Sequence, residues 1–473
     1  MSGRRRFRAF RSYPAEVRST VLSNPRRSVL VVSVGLALTW LVLTKSLAYA
    51  LAEPAPEWAL WLNPNLPRAL LGLADRERDK LVSTHTGTEA ASKASAATPG
   101  VDALPDRQAL RQRIRELALR AIANAPLNAR GFRLLAEVTD NQAEVRFLMQ
   151  EAFKRSRRES TAVLWLMNDS FSRNDFADVI AKGDVLLRTR AQLAPVVMDF
   201  FSRVIVIPEA RGLLVSLLAG KPKWRGTFFN TLPKIVRDDD ALLELMVALK
   251  DIDGVPSTQE LEPYLDSLVN KRRVDFAYNA WLQLMPQEKL ASLGLLHNPS
   301  FAENPSGLPF DWSIKRGHNA MVDFVALPDA RGERAVRYRF GYGRAKFPET
   351  SQILMLPPGP YHLEGALRGL LNTRRGLRWE LRCRGGQRPL AETDMIYGNP
   401  QHWQNFVLNA DVPDQDDCRA QTLRLYHPAR SASEELISGE ISFRGIRLAR
   451  VKECLAEAPG SCPEPAATAA DVR

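Results

Sequence analysis

Residues 377–383 read LRWELRC, with Leu377, Trp379, Leu381 and Cys383 alternating with charged side chains. Successive side chains of a strand point to opposite faces, so this stretch predicts a strand with one face in a core. The same period of two runs through Val336, Tyr338 and Phe340, and again through Tyr361, Leu363 and Gly365. Further strands are expected at 319–326, 352–356, 403–412, 421–426 and 440–448. About eight short strands divided by Gly, Pro and Asp turns point to an antiparallel sandwich of roughly 150 residues that opens near Asn298.

The cysteines of the chain are Cys383, Cys418, Cys454 and Cys462, all near the C-terminus. An even number in an oxidising compartment favours disulfides, and the economical pairing is Cys383 with Cys418 and Cys454 with Cys462. Cys383 ends one expected strand and Cys418 opens another, so the first bridge would staple neighbouring strands. No CxxC and no close Cys/His spacing supports a metal site, and no metal or other cofactor is expected.

Upstream of Asn298 the period changes to that of a helix. From Arg107 to about Gly220 the pattern is helical and weakly repetitive: Ala129-x-x-Phe132 recurs as Ala162-x-x-Trp165, and the same step again reaches Met198. Helix pairs repeating near 34 residues suit stacked units that bury faces no single pair can bury. The alternative is an ordinary helical bundle with coincidental spacing. Residues 224–295 continue helical, with Leu242, Leu243, Leu245, Met246 and Leu249 at core spacing and Asp238, Asp239 and Asp240 placed for a helix start. Residues 83–106 are rich in Ser, Thr, Ala and Gly and are read as a flexible linker.

Residues 28–44, SVLVVSVGLALTWLVLT, hold no charge. At about 1.5 Å per residue such a run, continued past Lys45 to Ala52, can cross a hydrocarbon core of roughly 30 Å. Ahead of it stand eight Arg against one Glu, which predicts a cytoplasmic N-terminus and a bulk beyond the inner membrane, in the periplasm. Trp40 and Tyr49 suit an interfacial belt. A cleaved signal peptide, with small-x-small sites at 48–50 and 50–52, and a buried core helix are the other readings. The leader accounts for +7 of the net charge of +12, so the remainder carries no nucleic-acid signal.

The expected fold class is therefore multidomain α + β. It comprises a basic leader (1–27), a transmembrane anchor (28–52), a short helical segment (53–82), a linker (83–106) and an α-helical repeat domain (107–297). A β-sandwich (298–452) and a C-terminal tail (453–473) follow.

Several segments carry family resemblances. LNPNLPRALLGLAD and NAPLNARGFRLLAEV resemble the junctions of tetratricopeptide (TPR-like) repeats, where a Pro opens the next unit. NPSFAENPSGLPFDWSI at 298–314, ILMLPPGPYHLEGALRG at 353–369 and GEISFRGIRLARV at 439–451 resemble the first strand, central hairpin and closing strand of a jelly roll. That jelly roll is the galactose-binding-like module of carbohydrate-binding domains. The chain as a whole is similar to membrane-anchored helical-repeat proteins that accompany bacterial exopolysaccharide biosynthesis. The resemblance implies polysaccharide and polysaccharide-assembly proteins as partners. It does not carry over a structural calcium, because Ala302 follows Phe301 and the last strand reads Phe443-Arg444-Gly445.

Sugar rings stack on exposed aromatics flanked by hydrogen-bonding groups, with Arg where the glycan is acidic. The glycan-binding candidates are Tyr342, Tyr397, His402, Trp403, Tyr426 and Arg424. YGNPQHW at 397–403 reads as a loop, whereas Trp379 and Phe406 alternate correctly for a core. The sequence holds no nucleophile elbow, phosphate-binding loop or H-E-x-x-H, and the six His are scattered, so no catalytic residue is assigned.

Overall fold

The computed structural model describes residues 25–94, 103–252, 254–291, 293–328, 333–386, 388–431 and 433–451. Within them the chain forms fifteen α-helices followed by ten strands. Two compact units divide it, Met1–Leu193 and Ala194–Arg473. The division falls inside the helical region, not at 297/298 where the sequence changes period.

The first unit opens with α1 (Pro25–Leu51), which contains one stretch, Val29–Leu51, long and apolar enough to cross a membrane, with a mean hydropathy of 1.9. Its apolar side chains are exposed along most of its length. Then come α2 (Pro56–Leu62), α3 (Pro67–Ala94), α4 (Ala103–Asn124), α5 (Ala129–Glu137), α6 (Gln142–Arg155), α7 (Ser160–Ser172) and α8 (Phe176–Thr189). Pro56 and Pro67 open their helices, where the missing N–H costs nothing. Asn128, Asn141 and Asp175 cap α5, α6 and α8 by accepting from backbone N–H groups of the first turn.

The expected linker at 83–106 is corrected in part. α3 continues through it to Ala94 and α4 begins at Ala103. Weak apolar content does not stop a helix already nucleated by packing upstream, and the Ala-rich run EAASKA propagates it.

The second unit holds α9 (Ala194–Val204), α10 (Pro208–Ala219), α11 (Arg225–Ile235), α12 (Asp239–Asp251), α13 (Thr258–Asn270), α14 (Val274–Leu284) and the single turn α15 (Gln287–Leu290). Along the chain the first helices of five successive pairs start at Ala129, Ser160, Ala194, Arg225 and Thr258, and the second helices at Gln142, Phe176, Pro208, Asp239 and Val274. The spacing is thus regular to within a few residues. Within the second unit α11 lies between α9 and α13, and α12 lies between α10 and α14, which gives two layers of like helices.

Buried charges join neighbouring pairs. Arg225 is bidentate to Glu260 of the next pair and donates to the carbonyls of Leu218 and Gly254. Asp239 accepts from Lys271 and Arg273 at 2.7 Å each. Such ties fix register, because a buried ion without its partner costs several kcal/mol.

The sandwich consists of two five-stranded antiparallel sheets. One has the order β1 (Ser313–Ile314), β4 (Thr350–Leu354), β9 (Gln421–Tyr426), β6 (Arg378–Cys383) and β7 (Pro389–Glu392). The other runs β2 (Ala320–Ala326), β3 (Arg334–Phe340), β10 (Ile437–Arg450), β5 (Gly359–Thr373) and β8 (Gln404–Val412). β7 was not expected and is too short to show an alternation, and β1 occupies only the last two residues of the segment that resembles a first strand. Trp312, Trp379, Tyr338, Tyr361, Phe406 and Phe443 fill the space between the sheets, with the rings of Trp379 and Phe406 stacked at 5.9 Å. Cys383 and Cys418 form the expected disulfide, which ties β6 to the turn before β9. Cys454 and Cys462 lie outside the described residues. At the entry to the sandwich Phe310 and His297 pack on Trp281 of α14.

Candidate functional site

One end of the sandwich gathers four connections: the turn after β3, the β5–β6 connection that crosses from one sheet to the other, the segment before β8 and the segment before β10. Two exposed tyrosines stand there. Tyr342 is fully exposed and Tyr397 is 64% exposed. Each is followed at once by a glycine with positive φ, Gly343 at +93° and Gly398 at +96°. A side chain at either glycine would meet nothing within 4 Å, so only the left-handed backbone demands glycine. Two Tyr-Gly turns therefore project their rings outward. Asn319 Nδ2 donates to the Tyr342 carbonyl and fixes the first turn. Gly398 exchanges backbone hydrogen bonds with Leu371, which pins the second against β5.

Each tyrosine borders a depression. The first, about 330 Å³, is lined by Tyr342, Asn372, Thr373, Arg374 and Ser438. The second, about 410 Å³, is lined by Arg374, Arg375, Met395, Tyr397, Ser433 and Glu434. Arg374 belongs to both, so they adjoin. The β5–β6 connection that carries it is held by a side chain from β9's end: His427 Nε2 lies 2.7 Å from the Arg375 carbonyl and 3.3 Å from Thr373 Oγ1. Burial keeps the His427 imidazole below its usual pKa, against the opposing pull of the Arg375 carbonyl. Glu434 accepts from the Arg430 N–H and pairs with Arg375 at 2.9 Å, and these contacts hold its carboxyl below the usual range.

The other predicted residues line neither depression. Tyr397 and Trp403, read as one loop, are parted by an extended stretch in which Gly369 donates to the Pro400 carbonyl. Trp403 is half-buried, with the guanidinium carbons of Arg368 and Arg444 at 5.0 and 4.3 Å from its ring centre. His402 is exposed beside it. Arg424 and Tyr426 alternate with the buried Leu423 and Leu425 and so face away from the core. Arg424 is held by Glu380 at 3.0 Å and Glu349 at 3.4 Å. Tyr426 donates to Glu392, and burial together with Glu380 pushes its phenol up to about 12. Both side chains are engaged within the protein. Trp379 and Phe406 lie in the core, as their alternation requires.

Sequence reasoning missed Arg374, Asn372 and Ser438. A signal for the first was available: TRRG at 373–376 lies between two predicted strands, and a connection between strands puts its arginines at the rim.

No protein-family model and no curated protein matches the chain. Among solved structures it is similar to a carbohydrate-binding module of family 4, at 14% identity over 33% of this chain and 99% of that one, with a TM-score of 0.24. It is also similar to a family 61 module in complex with β-1,4-galactotriose, at 20% identity over 33% and 99% of the two chains, with a TM-score of 0.23. A third is a module of Cellvibrio mixtus lichenase 5A in complex with cellotriose, at 11% identity over 29% and 91%, with a TM-score of 0.20. Likeness at this level says nothing of what this chain binds.

Proposed function

We propose that this chain is a non-enzymatic scaffold anchored in a bacterial inner membrane, with its bulk in the periplasm. Its helix pairs, of tetratricopeptide type, hold protein partners, and the end of its sandwich holds an acidic polysaccharide during exopolysaccharide or envelope polysaccharide assembly and export.

The observation that carries the glycan reading is the pair of Tyr-Gly turns facing adjoining depressions that share Arg374. Rings of this kind offer stacking area to sugars, Asn372, Thr373 and Ser438 offer hydrogen bonds to hydroxyls, and Arg374 offers a bidentate partner to a uronic or other carboxylate. The carboxylate bordering this site, Glu434, is already paired with Arg375, which favours binding over acid-base chemistry. The anchor reading is supported by the apolar exposed helix α1 and by Ala48 and Ala52 near its end, both buried in folded structure. Cleavage after Ala50 or Ala52 would break into that packing.

The test uses the full chain in detergent micelles on immobilised uronic-acid polysaccharide and on the same polymer with its carboxyl groups reduced. Wild-type protein is expected to be retarded on the acidic polymer. The double variant Tyr342→Ala/Tyr397→Ala should bind about fivefold or more weakly, since each stacking ring contributes roughly 0.5–1.5 kcal/mol. Arg374→Gln should lose the preference for acidic over reduced polymer. If wild type and double variant elute together on both polymers, with unchanged circular dichroism, the site is not a glycan site.

A further inference from the structure

The junction at the end of α1 is packed, not loose. Ala48, Ala52, Ala59, Leu66 and Ala69 form one buried cluster, with Leu51, Leu60 and Leu62 packed against it. Small residues at these positions let the helix backbones approach closely. A Cβ on Gly72 of α3 would lie 2.9 Å from the Ala52 carbonyl oxygen. Charged groups lock the same corner: Glu53 pairs with Arg68 at 2.6 Å, and Arg76 donates to the carbonyls of Glu53 and Pro54. The short helix α2 is therefore held at a set angle to the apolar helix.

The face that α2 turns away from this cluster is aromatic. Trp58 and Trp61, one turn apart, are 66% and 76% exposed, while Ala59 between them is buried. Tyr49, near the end of α1, is exposed as well. α1 has 27 residues, which at about 1.5 Å per residue exceeds a hydrocarbon core of roughly 30 Å. Its final turns, from Lys45 onward, then lie at the depth of the lipid headgroups. Indole and phenol rings are favoured at that depth, where one end is apolar and the other meets water.

We propose that α2 is seated in the headgroup layer of the bilayer that α1 enters, with Trp58 and Trp61 as its lipid contacts. The partner is the phospholipid interface itself, because this aromatic face directly follows the end of the apolar helix. The inference rests on the reading of α1 as a membrane span. Its consequence is that the first helix pairs start from a fixed platform on the membrane surface and not from a free tether.

The full chain would be reconstituted in phosphatidylethanolamine and phosphatidylglycerol vesicles doped with phosphatidylcholine brominated either high on its acyl chains or near their ends. The fluorescence lost in the double variant Trp58→Phe/Trp61→Phe isolates these two rings, and Trp40→Phe isolates the ring inside α1. The difference signal of Trp58 and Trp61 is expected to be blue-shifted and quenched more strongly by the shallow label, with Trp40, which the continuation of α1 to Leu51 moves inward from the expected interfacial belt, quenched more strongly by the deep one. If Trp40 is quenched but Trp58 and Trp61 are untouched by either label, α1 spans and the proposal for α2 is wrong. If no ring is quenched and alkaline carbonate strips the protein from the vesicles, the span itself is refuted and this inference goes with it.

Discussion

Single residues set the sharpest expectations. Trp379 is fully buried, stacks on Phe406 and meets the edges of Trp312 and Phe443. Trp379→Ala removes its apolar area and leaves a void between two rigid sheets, so urea denaturation should show a loss of about 3–5 kcal/mol. His427 sets a pH dependence. Its folded pKa is lowered by burial, so between that value and the unfolded value of about 6.5 the unfolded chain binds more protons. Its contribution to stability is complete above that range and is lost as the pH falls through it. His297, lowered by burial beside Trp281, acts in the same direction. Glu434, Glu435 and Arg375 surround His427, and the lowered carboxyl of Glu434 titrates only at more acid pH. The urea midpoint should therefore drop on going from neutral pH to mildly acid pH, and His427→Gln should flatten that drop. An unchanged slope would show that His427 is already free to take up a proton in the folded state. Tyr342 and Tyr397 were legible as candidates because an aromatic next to glycine in a turn seldom has a core to enter. Arg424 and Tyr426 were not separable from them, since a strand's outward residues look the same in sequence whether they meet solvent or an ion pair.

At the scale of elements, alternation was the dependable signal. Gln421–Tyr426 forms the strand its pattern predicts, and β3 surrounds the expected Val336, Tyr338 and Phe340. β5 extends well beyond the expected pair of apolar positions, to Thr373, because β10 pairs with it from Thr373 to Tyr361 across a register shift. That extension carries Arg374 to the rim of the sandwich. The bridge between Cys383 and Cys418 closes a loop with a sequence separation of 35. In the chain-entropy model its reduction should cost about 3–4 kcal/mol, read as a shift of the unfolding midpoint with and without reductant. A Cys383→Ser/Cys418→Ser variant should match the reduced protein, and a midpoint unaffected by either change would mean that the bridge constrains an unfolded chain already compact. Among the helices, a Pro opens α3 at Pro67, whereas α5 begins at Ala129 behind the Asn128 cap and not at a Pro. The misread stretch was 83–94, where composition suggested a linker but α3 simply continues.

For the molecule as a whole, the sequence determined three things by itself. An uncharged run marks the apolar helix, a period near 34 residues marks the helix pairs, and a change of period near Asn298 marks the start of the sheets. Each follows from short-range rules, since periodicity and charge depend only on neighbours along the chain. Tertiary structure decided the rest. It divided the helical region at Leu193 and grouped the later helices with the sandwich. It parted Tyr397 from Trp403, six residues away, and set Tyr397 beside a depression that adjoins the one bordered by Tyr342, with Arg374 on both. Which side chains meet at such an end depends on strand order and register across the whole sandwich, and no local pattern in the chain encodes them.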